Sequence, residues 1–317
     1  MRQLLALDFG GTFVKCSLID KEGVIRERTE LPAPLKSTET FVQMIESLFE
    51  KYVDNVDGIA ISIAGIVDSA SKTLITAGAY TQILGGKSLC NLLGHLDTRI
   101  SVENDAKAAA LGENWKGKLR GVNNGVALII GSGLGTGIII DGKLYKGAHF
   151  SSGEVGVIPT EIGAYNPTTT MAQKAGMTAF LKNVALAKGL RLEQFEIAGI
   201  KDNARLNTNL PIYSGRDVFQ WLEEGDETTW QVYRDWLAAL VHIIFSLKLI
   251  LDPEKIVIGG GVSRNPRLLN DLKQEYEKTR GMTKANDVLK VELDVCQHTA
   301  DANMLGAVYH WIQCFEN

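Results

Sequence analysis

Five short stretches of this chain carry residue types suited to handling a phosphate and a hydroxyl. Leu4-Leu5-Ala6-Leu7-Asp8-Phe9-Gly10-Gly11-Thr12 is an apolar run that ends in a Gly-Gly-Thr turn, with one carboxylate just before it. Residues 126–130 are apolar again and lead into Gly131-Ser132-Gly133-Leu134-Gly135-Thr136-Gly137. Glycine has no Cβ, so backbone N–H groups in such turns approach an anion closely. Two such turns facing each other across a cleft would hold a polyphosphate from both sides. Between them, Ser101-Val102-Glu103-Asn104-Asp105 precedes an alanine-rich run that ends at Leu111-Gly112-Glu113. Asp105 then falls near a helix N-terminus, where free N–H groups and the helix dipole favour the ionised carboxylate. Either it only caps the helix, or it is an ionised carboxylate kept for chemistry, with Asn104 beside it able to donate and accept hydrogen bonds to a hydroxylated substrate. Gly153-Glu154-Val155-Gly156 is either a solvent-exposed turn or a carboxylate presented to two vicinal hydroxyls. Gly259-Gly260-Gly261 is either a tight strand-to-helix turn or a flat backbone surface for adenine or ribose.

The elements that must position these residues are legible in the hydrophobic pattern. Strand-like runs recur at 4–8, 14–19, 58–63 and 100–102, then at 126–130, 138–140 and 255–258. Phe41, Met44, Ile45, Leu48 and Phe49 fall at helical spacing, which predicts a helix over 40–52. Further helices are expected at about 170–188, 230–251 and 301–311, and the polar stretch 200–215 reads as a loop. Strand, glycine turn, strand and polar hairpin open each half of the chain, so the sequence states one device twice. The alternation predicts α/β layers with mixed sheets. The division between halves is expected in the polar stretch 116–124.

Bulk properties narrow the function classes. At 317 residues the chain can build two sizeable cores, and 45% hydrophobic with 22% charged residues is ordinary for a globular protein. A net charge of −4 gives no electrostatic reason to expect nucleic acid or an anionic membrane as a partner. No secretory leader is expected at the start. The longest apolar stretch, 236–251, contains His242 and Lys248, so a buried helix is expected there and not a membrane span. Cys16, Cys90, Cys296 and Cys314 stand apart with no metal-ligand spacing, which speaks against zinc and for a reduced, cytoplasmic setting.

Taken together and in this order, the five motifs resemble those of the sugar-kinase branch of the actin-like ATPases, and in detail the ROK family (repressors, open reading frames and sugar kinases). The resemblance covers nearly the whole length. It implies a two-lobed actin-like ATPase (ribonuclease H-like) fold of α/β class, with mixed sheets flanked by helices. One lobe would span 1–118, completed by the helix at 301–317, and the other 119–300. Matched motif by motif, Gly10, Gly11 and Thr12 would form one phosphate loop and Gly133, Gly135 and Thr136 the other. Asp8 would orient Mg²⁺ through water, and Gly259, Gly260 and Gly261 would border the adenosine of ATP. Asp105 would be the base, with Asn104 and Glu154 on neighbouring sugar hydroxyls. Gly65, in Ala64-Gly65-Ile66-Val67-Asp68, would sit at the rim of the sugar site. A homodimer is also implied.

The departures from the family pattern fall in one place. Where the family continues Gly-Glu-Ile-Gly-His, this chain has Val157, and the cysteine-rich zinc loop that should follow reads Glu161-Ile162-Gly163-Ala164-Tyr165-Asn166-Pro167-Thr168-Thr169-Thr170. The loop Ala79-Tyr80-Thr81-Gln82 likewise lacks the usual Asn-Leu. Phosphate handling and the catalytic aspartate are kept, while the anomeric end of the sugar pocket is altered. The expected function is an ATP-dependent kinase acting on a hexose, a hexose derivative such as N-acetylmannosamine, or a β-glucoside, at the 6-hydroxyl. The alternative is a non-catalytic sugar sensor of the same family. A repressor reading lacks room for a helix-turn-helix domain ahead of Asp8.

Overall fold

The computed structural model describes residues 2–191, 196–197 and 212–316. The expectation of a loop over 200–215 falls largely outside them. The chain divides into two compact units, the first formed by 1–127, 137–153 and 296–317, the second by 128–136 and 154–295.

In the first unit, β1 (Gln3–Phe9), β2 (Phe13–Asp20) and β3 (Ile25–Pro32) form an antiparallel meander. After α1 (Thr38–Tyr52), β4 (Val56–Ile63) runs parallel to β1 on its other side. Three two-residue strands, β5 (Val67–Asp68), β6 (Thr73–Leu74) and β7 (Lys87–Ser88), make a small separate sheet. Short helices α2 (Thr81–Leu84) and α3 (Leu89–Leu93) lead on to β8 (Arg99–Asn104), which completes the order β3-β2-β1-β4-β8. Residues 4–9 are all buried because the sheet is covered on both faces, which is why β1 reads as a continuous apolar run. Leu5, Leu7 and Phe9 pack with Phe41 and Ile45 of α1 on one face. Leu4 and Ala6 pack on the other with Met304, Leu305, Val308 and Trp311 of the C-terminal helix Ala302–Phe315. Strand β3 lies beyond the expected elements: its Arg26, Glu27, Arg28 and Glu30 belong to an exposed edge, where charge guards against further pairing and hides the apolar signal.

Helix α4 (Asp105–Lys116) follows β8 directly. It is alanine-rich because it is enclosed. A Cβ on Gly306 would collide with the Ala108 carbonyl oxygen, so the C-terminal helix lies directly on the α4 backbone. Strands β9 (Gly125–Ile130) and β10 (Leu134–Ile140) each straddle the division between units, and β11 (Lys143–Tyr145) closes a hairpin on β10.

The second unit contains α5 (Met171–Ala175) and α6 (Met177–Ala187), the expected helix at 170–188 being broken at Gly176. The pair β12 (Glu196–Ile197) and β13 (Ile212–Tyr213) is followed by α7 (Gly215–Glu223) and α8 (Glu227–Leu251). Strand β14 (Lys255–Gly259), helix α9 (Pro266–Gly281) and β15 (Glu292–Val295) follow, before α10 (Ala302–Phe315) returns the chain to the first unit. The second sheet has the order β11-β10-β9-β14-β15. Its helices are held by an aromatic cluster in which Phe180 stacks on Trp236 at 4.4 Å and Trp236 Nε1 donates to the Ala175 carbonyl at 2.9 Å. No helix among the described residues is long and apolar enough to cross a membrane.

Candidate active site

The parallel strands β1, β4 and β8 bring their C-terminal ends together, the end at which open α/β sheets bind ligands. Their registers align Asp8 with Ser62 and Ser62 with Glu103, and one step further Phe9 with Ile63 and Ile63 with Asn104. The Gly10-Gly11-Thr12 turn leaves this edge from β1. Its Gly10 N–H donates to the Phe13 carbonyl at 3.1 Å, and its Gly10 carbonyl accepts from Tyr80 Oη at 2.9 Å. Asp8 is nearly buried. Its Oδ1 accepts from Ser62 Oγ at 2.9 Å and Asn303 Nδ2 at 3.2 Å, while Oδ2 lies 3.8 Å from Lys15 Nζ. One oxygen is thus fixed by neutral donors and the other points toward positive charge. A single carboxylate so held suits a magnesium ion that keeps its waters.

The end of β8 leads directly into α4. Asn104 is the N-cap of α4: its Oδ1 accepts from the Lys107 N–H at 3.0 Å, and its Nδ2 donates to the Gly65 carbonyl at 2.9 Å and to Asp105 Oδ1 at 3.1 Å. Asp105 is the first helical residue, half-buried, with Oδ1 accepting from the Ala106 N–H at 2.8 Å. Capping is therefore done by its neighbour. Gly65 has a φ of +111°, and a Cβ there would come 2.6 Å from the Thr76 carbonyl oxygen. Only glycine brings this carbonyl to Asn104. Asp8, the Gly10–Thr12 turn, Gly65, Asn104 and Asp105 are thus gathered at one sheet edge of the first unit.

In the second unit three of the motifs meet at the β9–β10 turn. The turn itself is Gly131–Gly133, closed by Gly131 N–H to the Gly133 carbonyl at 3.1 Å; Gly135 and Thr136 belong to β10, where Thr136 is buried. Carbonyls of Gly131 and Ser132 accept from the N–H groups of Met177 and Thr178, so α6 begins against this turn. Gly260, with φ +90°, packs so closely on the Ile130 carbonyl that a Cβ would overlap it, which sets Gly259–Gly261 beside the turn. Gly156 approaches the Leu134 carbonyl, 2.5 Å from where a Cβ would stand. Glu154 therefore caps a short 3-10 turn, Val155–Val157, anchored next to the same glycines. Val157 on that turn is 56% exposed, and Ile158, Ile162 and Tyr165 after it are exposed as well.

The family model for the ROK family matches residues 4–314. The chain belongs to the ROK family. Beta-glucoside kinase of Klebsiella pneumoniae is 27% identical to this ROK chain over 315 residues, covering 99% of it and 98% of the relative. Beta-glucoside kinase of Listeria monocytogenes is 26% identical, covering 98% of each. Among solved structures, the ROK family glucokinase from Streptomyces griseus in complex with glucose and AMPPNP superposes with a TM-score of 0.77 at 23% identity, covering 96% of this chain and 98% of that one. This last likeness speaks for the two-lobed fold of ROK kinases.

The site of this ROK chain includes residues that sequence patterns did not mark. Ser62 and Lys15 are single polar positions inside apolar strands, a weak but present signal; Tyr80 and Asn303 reach the site from distant segments and carry none. Lys146 and His310 belong to the same class. Glu103 is fully buried, and its Oε2 lies 2.8 Å from Lys146 Nζ and 3.9 Å from His310 Nε2. Burial above all, then the Lys146 charge, pushes His310 down from 6.5 to about 4, against the pull of Glu103 and a hydrogen bond to the Val102 backbone. An unfolded chain would bind a proton there below about pH 6.5 that the folded chain refuses until about pH 4. Stability from this group is complete above pH 6.5 and falls as pH drops through that window, by about 3 kcal/mol in all. Urea unfolding of wild type and His310→Gln at pH 7.5, 6, 5 and 4.2 should show the variant losing less stability on acidification. Parallel curves would mean that His310 titrates in the folded chain as it does in the unfolded one.

Proposed function

We propose that this chain is an ATP-dependent sugar kinase that transfers the γ-phosphoryl group to the 6-hydroxyl of a hexose derivative, with a β-glucoside as the favoured substrate class. The observation that carries the reading is the placement of Asp105, the first residue of α4 after its N-cap Asn104, at the C-terminal edge of three parallel strands from which the Gly10–Thr12 turn also leaves. Its carboxylate orients the sugar hydroxyl and accepts its proton as the phosphoryl group departs from ATP. Asn104 and Glu154 hold neighbouring hydroxyls. Gly65, at the rim, shapes the sugar site.

Gly10, Gly11 and Thr12 form one phosphate loop and Gly133, Gly135 and Thr136 the other, while Gly259, Gly260 and Gly261 border the adenosine. Asp8 would orient, through water, a magnesium ion brought with ATP, and that ion would supply charge neutralisation at the phosphate oxygens. Because phosphoryl transfer is chiefly positioning and electrostatics, one base and fixed phosphate turns suffice. The preference for a substituted sugar is supported by the exposed Val157 on the Glu154 turn and by the names of the curated relatives. An apolar side chain offers no hydrogen bond to a free anomeric hydroxyl and tolerates a group in its place.

ADP release with Mg²⁺-ATP should be measured against glucose, N-acetylmannosamine and a series of β-glucosides. Highest kcat/KM on a β-glucoside supports the full reading. Highest kcat/KM on a free hexose keeps the kinase and discards the role of Val157. Sugars that bind without stimulating turnover would favour a sensor.

A further inference from the structure

Glu103, the residue before Asn104 and Asp105, is completely buried. Its Oε1 accepts from the Asn104 N–H at 2.8 Å. Its Oε2 makes no hydrogen bond of good geometry, so its charge is answered chiefly by the Lys146 ammonium at 2.8 Å. A buried carboxylate is strongly unfavourable without such a partner. His310, at 3.9 Å from the same oxygen, does not serve as the cation because it is held neutral. Lys146 also donates to Ser69 Oγ at 2.5 Å, in the turn that follows Gly65 and Asp68. One ammonium therefore ties together the end of β8, the loop that carries Gly65, and the segment that leads from β11 toward Glu154.

From this geometry we infer that Lys146 is a positioning residue of the phosphoryl-transfer reaction, holding Glu103 so that Asn104 and Asp105 keep their placement against Gly65. The inference rests on the kinase reading above. Lys146 touches no reacting atom; it acts through the chain Lys146–Glu103–Asn104–Asp105, each link of which is an ion pair, a hydrogen bond or a peptide bond. Removing the ammonium leaves Glu103 to recruit a proton or to draw one onto His310. Either change shifts the strand end on which the base stands, and small misplacements of a catalytic group are costly.

The test uses the full chain as Lys146→Met and Lys146→Arg, with the best sugar from the substrate series. For Lys146→Met, kcat should fall by about tenfold to a hundredfold while KM for ATP changes by less than about threefold. Arginine keeps the charge and should restore kcat to within about threefold of wild type. A second readout is independent of turnover: the His310 imidazole, followed by NMR in ¹⁵N-histidine-labelled protein. The groups that face it are Glu103 on β8, Lys146 after β11, Cys314 on its own helix and the Val102 carbonyl. With Lys146 gone its midpoint should rise by about one unit or more, because a repelling cation is lost and the attracting carboxylate is uncovered.

If Lys146→Met fails to fold, Lys146→Met with Glu103→Gln removes both charges, and the same fall in kcat is expected with an unfolding midpoint near wild type. Unchanged kcat in the folded single or double variant, or an unmoved His310 midpoint in Lys146→Met, overturns the inference. If the wild type phosphorylates no sugar, the kinase reading fails instead, and the histidine titration alone decides whether Lys146 holds Glu103.

Discussion

Asp105→Asn is expected to lower kcat for sugar phosphorylation by about a thousandfold, within the range that a positioned general base contributes. The fold should survive the change. Asn104 provides the N-cap of α4, and an asparagine at 105 still offers an oxygen to the Ala106 N–H and to Asn104 Nδ2. What the variant loses in stability is the favourable placement of one negative charge at a helix N-terminus, about 0.3–1 kcal/mol. The expected rise in the barrier is about 4 kcal/mol. The two magnitudes separate the roles: a residue that only supported the helix would show the first effect without the second. Steady-state ADP release with saturating sugar, together with urea unfolding of the same preparation, measures both. KM for ATP should stay within a few-fold of wild type, since Asp105 belongs to the sugar side of the reaction. Turnover that persists in Asp105→Asn would assign the base to another group.

Local patterns foretold those parts of the molecule whose cause is local. A strand buried on both faces reads as an unbroken apolar run, and β1 and β4 do so because α1 and α10 cover them. A glycine that must admit a carbonyl at close quarters stands out in any sequence, and Gly65, Gly156 and Gly260 each do so for that reason. The edge strand β3 was hidden because its ladder is made of backbone while its side chains face water. Tyr80 fastens the first phosphate turn from 70 residues away, and Asn303 reaches Asp8 across 295. Nothing in the neighbourhood of either residue requires it to be tyrosine or asparagine, so only the fold reveals them. Alanine-rich α4 has a similar lesson. It lacks a polar face because it is enclosed, and the reason lies in Gly306, at the other end of the chain.

The same division between local and distant causes makes Glu113 the residue whose loss should cost the fold most. It is fully buried near the end of α4, at the close of the stretch that begins with Glu103-Asn104-Asp105. Its carboxylate accepts three backbone N–H groups: Lys118 at 2.8 Å and Gln297 at 3.0 Å on Oε2, and His298 at 2.8 Å on Oε1. Two of these donors belong to the segment that leads into α10, and the third follows the C-cap Gly117. Glu113 thus ties the C-terminal end of α4 to the segment that leads into α10, the helix that carries Asn303. Glu113→Leu removes every acceptor and leaves three part-buried N–H groups without one, at about 1–3 kcal/mol each. A loss of about 4 kcal/mol or more is a large part of the about 5–15 kcal/mol that holds a domain folded. Glu113→Gln should cost about a third as much, because its one oxygen can turn to the Oε2 position and serve two of the donors, leaving only His298 unmatched. Urea unfolding followed by tryptophan fluorescence measures the series. The order wild type, glutamine, leucine, with the larger step at leucine, is the signature of a carboxylate that works as an acceptor of backbone hydrogen bonds; equal losses for the two variants would show that its charge, and not its oxygens, is what the fold uses.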